Sequence, residues 1–224
     1  MPIIFNRIAK YTIKDLIYIE MQDNEMSSSN TIKSQLEEKK RSSERVYDGK
    51  LLQVYVDEVI LPDGTHSTRD WIKHPGASAV VPVFEDGTIM LLKQFRYPPR
   101  KIFTEVPAGK LDPGDSPEET AERELQEESG LVCEHLELAG SFYPAIGYAD
   151  EIIYVYVAWG LTQKGQNNDD DEFLLNYRIS FSEALQMIET GEISDGKTIC
   201  SLVKAHLWWK KHQPFNIDFS AVNS

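Results

Sequence analysis

Cysteine is scarce: Cys133 and Cys200 are the only two in 224 residues. One disulfide is arithmetically open to them, but a chain this long with so few is expected to be a reduced, cytosolic protein. Positive charge is short as well. Lys and Arg number 23 against 36 Asp and Glu, for a net charge of −13. Such a chain repels phosphate backbones, which argues against a general nucleic-acid binder, and suits the recruitment of divalent cations. Long apolar runs are missing too, and nothing approaches the roughly 18 residues of a membrane span. The N-terminal "MPIIFNRIAKYTIKDLIYIEMQ" breaks its apolar residues with Lys14, Asp15 and Glu20, so it does not read as a signal peptide. No internal repeat is visible. What remains is a 41% hydrophobic chain, able to bury the core of one compact domain.

Residues 1–45 read as an extension or linker, with the polar "QDNEMSSSNTIKSQLEEKKRSSER" as a linker or loose helix. Met26 before "SSSN" makes a second candidate start. Residues 1–25 are then expected to come from an upstream start assignment, and a native N-terminal peptide beginning before Met26 in mass spectrometry contradicts this. Residues 46–75 form strands around a Pro62-Asp63-Gly64 turn, residues 76–212 the main domain, and residues 213–224 a tail. "ASAVVPVFEDGTIMLLKQFRYP" predicts a hairpin about Asp86-Gly87. "IFTEVPAG", "LELAGSFYP" and "EIIYVYVAWGLT" read as strands. "SFSEALQMIETGEI", capped by Ser180 or Ser182, and "KTICSLVKAHLWWKKH" read as helices. Strands alternate with few helices, so the class is mixed α/β.

One helix is unusually acidic. In "AGKLDPGDSPEETAERELQEESGL", Ser116 is a natural N-cap, Pro117 suits the first helical position, Glu119 completes a capping box and Gly130 stops the helix. Glu124 and Glu128 lie one turn apart on one face, with Glu127 beside them, while Ala121 and Leu125 give a narrow apolar stripe. Arg123 lies four residues before Glu127 and can pair with it. A solvated surface helix is the commonest fate of such a run, but signs usually alternate there and here they barely do. In the preceding loop, Gly109 and Gly114 are free to take positive φ, and a turned carbonyl would add a neutral oxygen to the carboxylates. Hard cations such as Mg²⁺ take oxygen ligands of this kind.

The spacing is more specific. From Gly109 the order is five residues, Asp115, seven residues, Arg123-Glu124-Leu125, one residue, Glu127-Glu128, one residue, Gly130-Leu131. This resembles the Nudix box, the signature of hydrolases that cleave a nucleoside diphosphate linked to another group. One fixed position departs: the family has Glu where this chain has Asp115, which keeps the charge and loses a methylene of reach. The similarity extends over roughly residues 47–209. "HPGASAVVPV", "LLKQFRYP", "TEVPAGKLDPG" and "FYPAIGYADE" look like the ADP-ribose pyrophosphatase branch.

The resemblance implies a Nudix fold, an α/β/α sandwich with a mixed sheet, plus an N-terminal β extension. It also implies a homodimer in which the strands of residues 46–75 help build the partner's site. It implies that Glu124, Glu128 and the Ala108 carbonyl ligate Mg²⁺ or Mn²⁺, with Glu127 contributing through water. Catalysis is expected to depend on Glu128 and on Glu172, the best match for a base on the loop "NNDDDEFLLNY", with Asp169, Asp170, Asp171 and Glu151 as alternatives. Arg123 would brace the glutamates or the loop holding Asp115, or pair on the surface with Glu127. Arg96, Arg69 and Glu151 would contact substrate. Trp71 would stack on a base or pack in a strand, and His74 is structural. Ala145-Ile146-Gly147 replaces the "SPG" that often follows "FYP" in this branch. The expected reaction is Mg²⁺-dependent hydrolysis of ADP-ribose to AMP and ribose 5-phosphate, with GDP-mannose or ADP-glucose as alternative substrates. A non-catalytic ADP-ribose sensor is the reading from another class. Neither nucleic acid nor membrane is expected as a partner.

Overall fold

A computed structural model describes residues 31–166 and 173–217, which divide into two units between Trp71 and Ile72. In the first, a helical stretch at residues 31–36 precedes an antiparallel meander, β1 (Lys39–Asp48), β2 (Gln53–Ile60) and β3 (His66–Lys73). β1 begins inside the polar run that reads as a linker. All its residues are exposed, so it carries no hydrophobic alternation to betray it. Its ladder to β2 holds it instead, helped by an Arg41–Glu58 ion pair and by Ser43 Oγ donating to Asp57. The Pro62-Asp63-Gly64 turn forms as expected: Asp63 Oδ1 accepts from Thr65 N (2.9 Å) and Oγ1 (2.6 Å), and Gly64 takes φ 84°.

The second unit contains β4 (Ala77–Pro82), β5 (Thr88–Arg96), β6 (Lys101–Glu105), β7 (Ala108–Lys110), α1 (Pro117–Ser129) and β8 (Leu131–Val132). It continues with β9 (His135–Phe142), β10 (Ile153–Trp159), β11 (Thr162–Gln163), β12 (Leu174–Ser180), α2 (Phe181–Glu189) and α3 (Gly196–His212). One sheet runs β7-β4-β10-β9, with β4 and β10 parallel and the other pairs antiparallel, so it is mixed. A second runs β12-β5-β6, and β8 pairs with β11.

Side-chain alternation divides the core into two layers. Val80 of β4 and Tyr156 and Ala158 of β10 face Ala121 and Leu125 of α1. Their neighbours Ala79, Val81 and Val157 join Leu202, Ala205 and Trp209 of α3 with Phe181 and Ala184 of α2. Helices therefore cover both faces of the mixed sheet, which is the expected α/β/α sandwich. Leu125 is fully buried, worth about 2 kcal/mol of apolar transfer, and this seats α1 on the sheet. Both helix ends are closed as the sequence indicates. Ser116 and Glu119 form the reciprocal capping box, and Gly130 takes φ 71°. Ser180 rather than Ser182 caps α2.

The hairpin expected at Asp86-Gly87 is only half right. The turn forms, with Phe84 N donating to Thr88 O (2.8 Å) and Gly87 at φ 77°. Beyond a single bridge between Val83 and Ile89, however, the strands part into different sheets. Both edges of β4 are occupied by β7 and β10, and those of β5 by β6 and β12, so neither has a free edge for the other. Among the described residues no helix is long and apolar enough to cross a membrane. Both cysteines are free, and burial pushes the Cys133 thiol up to about 11, which leaves little reactive thiolate near neutral pH.

Candidate active site

The acidic face of α1 lies against the backbone of β7. Glu124 and Glu128 are 8% and 3% exposed, which removes them from the class of solvated surface carboxylates. Glu128 Oε2 accepts from Ala108 N at 2.8 Å. Glu124 comes so close to β7 that a Cβ on Gly109 would stand under 3.0 Å from its Cδ and both its oxygens. This corrects the reason for the glycine. Gly114 takes a positive φ, 102°, but Gly109 does not; Gly109 is required by the carboxylate lying over it.

Arg123 ties the helix to the loop. Its Nη1 donates to Glu124 Oε1 (2.8 Å) and Glu127 Oε2 (2.9 Å), and its Nη2 to the Lys110 carbonyl (3.3 Å). Asp112 and Asp115 approach the same guanidinium at 3.5 and 3.9 Å. The surface pair with Glu127 and the bracing of the loop are thus both present. Asp115 stops short, its Oδ2 3.9 Å from Arg123 Nε, and that buried nitrogen has no hydrogen-bond partner. Glu127, engaged by Arg123, is the most exposed of the three box glutamates.

Among the described residues no three or more His, Cys, Asp or Glu side chains converge into a ready cation cage. The donors present still fit a hard divalent ion. Mg²⁺ is commonly held by one or two carboxylates, with waters and substrate phosphates completing its shell. Two buried carboxylates beside a strand whose glycine leaves room for them meet that requirement, and the Ala108 carbonyl belongs to the same strand.

Arg96 is not a free cation waiting for substrate. Its Nε and Nη2 donate to Glu105 Oε1 and Oε2 at 2.8 and 2.7 Å, and Glu105 is 3% exposed. Burial pushes the Glu105 carboxyl up, but its bonds to Arg96 and the Lys197 charge outweigh this and hold it below the usual carboxylate range. Arg96 nevertheless borders a cavity of about 340 Å³, with Pro98, Pro99 and Phe103. Glu151 borders a neighbouring cavity of about 430 Å³, with Phe142, Tyr143 and Cys200. Asp195 and Lys197 line both. The His74 backbone N–H donates to Asp150 Oδ1 (2.7 Å), and its ring Nδ1 accepts from Gly76 N (3.1 Å) and lies 3.7 Å from Glu151 Oε1.

Arg69 belongs to the N-terminal unit, where Glu38, Ser67 Oγ and the Thr68 carbonyl take up its guanidinium. Trp71 stacks on Tyr55 with ring centroids 5.1 Å apart. Glu172 and Asp169–Asp171 fall outside the described residues. On either side of that stretch, Gln166 Nε2 (2.6 Å) and Asn176 Nδ2 (2.8 Å) donate to one acceptor, the Glu128 carbonyl. Glu105, Asp195 and Lys197 escape the sequence reading. "TEVPAG" and "SDGKT" are 92 residues apart between Glu105 and Lys197, and no local pattern joins them.

A family model described as the NUDIX domain matches residues 73–202, and one for the nucleoside diphosphate sugar hydrolase N-terminal domain matches residues 38–72. The N-terminal match begins close to the start of β1, ahead of the expected boundary at residue 45. The chain is 42% identical over 165 residues to an ADP-ribose pyrophosphatase of Bacillus subtilis, covering 73% of this chain and 89% of that one. It is also 42% identical over 168 residues to a methanol dehydrogenase activator of Bacillus methanolicus, covering 74% and 91%. A GDP-mannose pyrophosphatase of Yersinia enterocolitica is 34% identical over 141 residues, 59% of this chain and 73% of that one. A solved structure described as an ADP compounds hydrolase superposes with TM-score 0.71 at 21% identity, over 80% of this chain and 98% of that one; it shares the fold.

Gly109→Ala should fold with a displaced Glu124 and weakened binding of divalent cation. Calorimetric titration with Mn²⁺ checks this, and wild-type affinity in the variant contradicts it.

Proposed function

The chain belongs to the Nudix hydrolase family, and on that premise we propose that it hydrolyses the pyrophosphate bond of ADP-ribose to AMP and ribose 5-phosphate, using Mg²⁺ or Mn²⁺. The observation that carries the reading is the buried pair Glu124 and Glu128 against Ala108-Gly109. Those two carboxylates and the Ala108 carbonyl would hold the cation, with Glu127 assisting through water. When bound, the cation supplies charge neutralisation at the pyrophosphate and lowers the pKa of a coordinated water.

The chain's own residues do the rest. Arg123 keeps Glu124 and Glu127 fixed relative to the loop. Glu172 takes the proton of the attacking water as its oxygen bonds to one phosphorus, and the bridging oxygen leaves with the other phosphate. Arg96 neutralises and orients phosphate oxygens, and Arg69 does so from the N-terminal strands that the second subunit contributes, the planar fork of arginine being suited to that task. Glu151 contacts substrate in the cavity it borders. We further assign the protein to the cytoplasm as a homodimer, its N-terminal strands contributing to the partner's site.

The similarity to the Bacillus subtilis ADP-ribose pyrophosphatase favours this substrate. Ile146, 83% exposed where the branch often has proline, and the likeness to GDP-mannose pyrophosphatases support a second reading, hydrolysis of another nucleoside diphosphate sugar.

A panel of nucleoside diphosphate sugars with Mg²⁺ and analysis of the phosphorylated products tests the proposal. ADP-ribose should be the best substrate, and absence of turnover for every member contradicts hydrolysis and favours the sensor reading. Glu128→Gln keeps an acceptor for Ala108 N, so it should fold yet lose most activity. Glu172→Gln should lower kcat by about two to four orders of magnitude, the scale of a lost general base. A loss under about tenfold moves that role to Glu151 or a neighbouring aspartate.

A further inference from the structure

We propose that Lys197 is a positioning residue for Arg96: it keeps the buried Glu105 carboxylate paired, so that Arg96 can turn from Glu105 to a substrate phosphate. The proposal rests on the nucleoside diphosphate sugar reading of the site.

Glu105, at the end of β6, accepts from two cations that arrive on different elements. Arg96 comes from the end of β5, and Lys197 Nζ, 3.0 Å from Glu105 Oε2, from the first turn of α3. Lys197 is held in turn by Asp195, 3.2 Å away, the N-cap of that helix. Asp195 is itself anchored, accepting from the backbone of Lys197 and Thr198 and from Thr198 Oγ1 (2.7 Å). The four side chains carry two positive and two negative charges, so the group is neutral.

The two cations are not equivalent. The Arg96 side chain is 41% exposed and the Lys197 side chain 17%. Arg96 is thus the more open of the two cations lining the cavity beside Pro98 and Phe103. Carboxylate and phosphate both engage the in-plane N–H edge of a guanidinium through paired hydrogen bonds, so Glu105 and substrate compete for Arg96. If Arg96 were the sole partner of Glu105, its departure would strand a buried carboxylate, a strongly unfavourable outcome. Lys197, fixed from behind by Asp195, stays when Arg96 leaves. The exchange then costs little, and the Arg96 stem remains aligned by the strand that carries it.

Replacing Lys197 by methionine should leave Glu105 holding Arg96 more tightly. KM should rise about 10- to 100-fold, by analogy with the loss of an outer residue that orients a metal-ligating side chain, with kcat changed far less. Lys197→Arg should recover most of that loss. Adding Glu105→Gln to the methionine variant should also recover much of it, because the competitor for Arg96 loses its charge. A merely structural ion pair predicts a lower melting temperature with KM unchanged. KM within about twofold of wild type, or a raised KM that Glu105→Gln does not relieve, overturns the proposal; the twofold limit is far below the loss expected. Should Lys197→Met not fold, Lys197→Gln is measured in its place against the same outcomes. Wild-type protein inert towards every nucleoside diphosphate sugar defeats the proposed function itself, whereas active wild type with an unaltered KM in the variant defeats this inference alone.

Discussion

Two carboxylates one helical turn apart, both buried, are the constraint on which the site depends. Like charges at that spacing oppose helix formation, and burial makes each charge harder to keep. The fold sustains them by bringing donors to them. Ala108 N meets Glu128, and Arg123 meets Glu124. The first contact needs β7 to lie directly against α1, and that approach needs a residue without a side chain at Gly109. The capping box and the Leu125 anchor fix where the helix starts and how it is rotated, and hence which face meets β7.

The sandwich supplies the rigidity such an arrangement requires. β4 is buried along its whole length, paired with β7 on one edge and β10 on the other. Its alternate side chains serve the α1 layer and the α3 layer, so the glutamates of α1 and the Asp195–Lys197 corner of α3 are referred to one strand framework. Catalytic geometry placed on such elements is held more closely than geometry placed on loops alone.

Local chemistry was legible in the sequence where one segment contained all its partners. The capping box, the Gly130 stop and the pairing of Glu124 with Glu128 follow from spacings of a few residues. Gly109 was recognisable as a special position but for a different reason, because a close approach by a side chain fifteen residues later leaves no trace in turn chemistry. At Asp86-Gly87 the sequence describes the turn correctly, but sheet membership depends on which edges β7, β10, β6 and β12 have already filled. β1 was hidden because a strand exposed throughout shows no alternation. The Arg96–Glu105–Lys197–Asp195 group joins two distant segments, and only the fold brings them together.

In the proposed function, Glu124 and Glu128 hold a divalent cation at a pyrophosphate site. Mn²⁺ binding followed by electron paramagnetic resonance, with and without a non-hydrolysable methylene analogue of ADP-ribose, addresses it most directly. The account predicts that the analogue tightens Mn²⁺ binding to the wild type, and that Glu124→Gln combined with Glu128→Gln removes this enhancement in a folded protein. An undiminished enhancement in the folded double variant would contradict it.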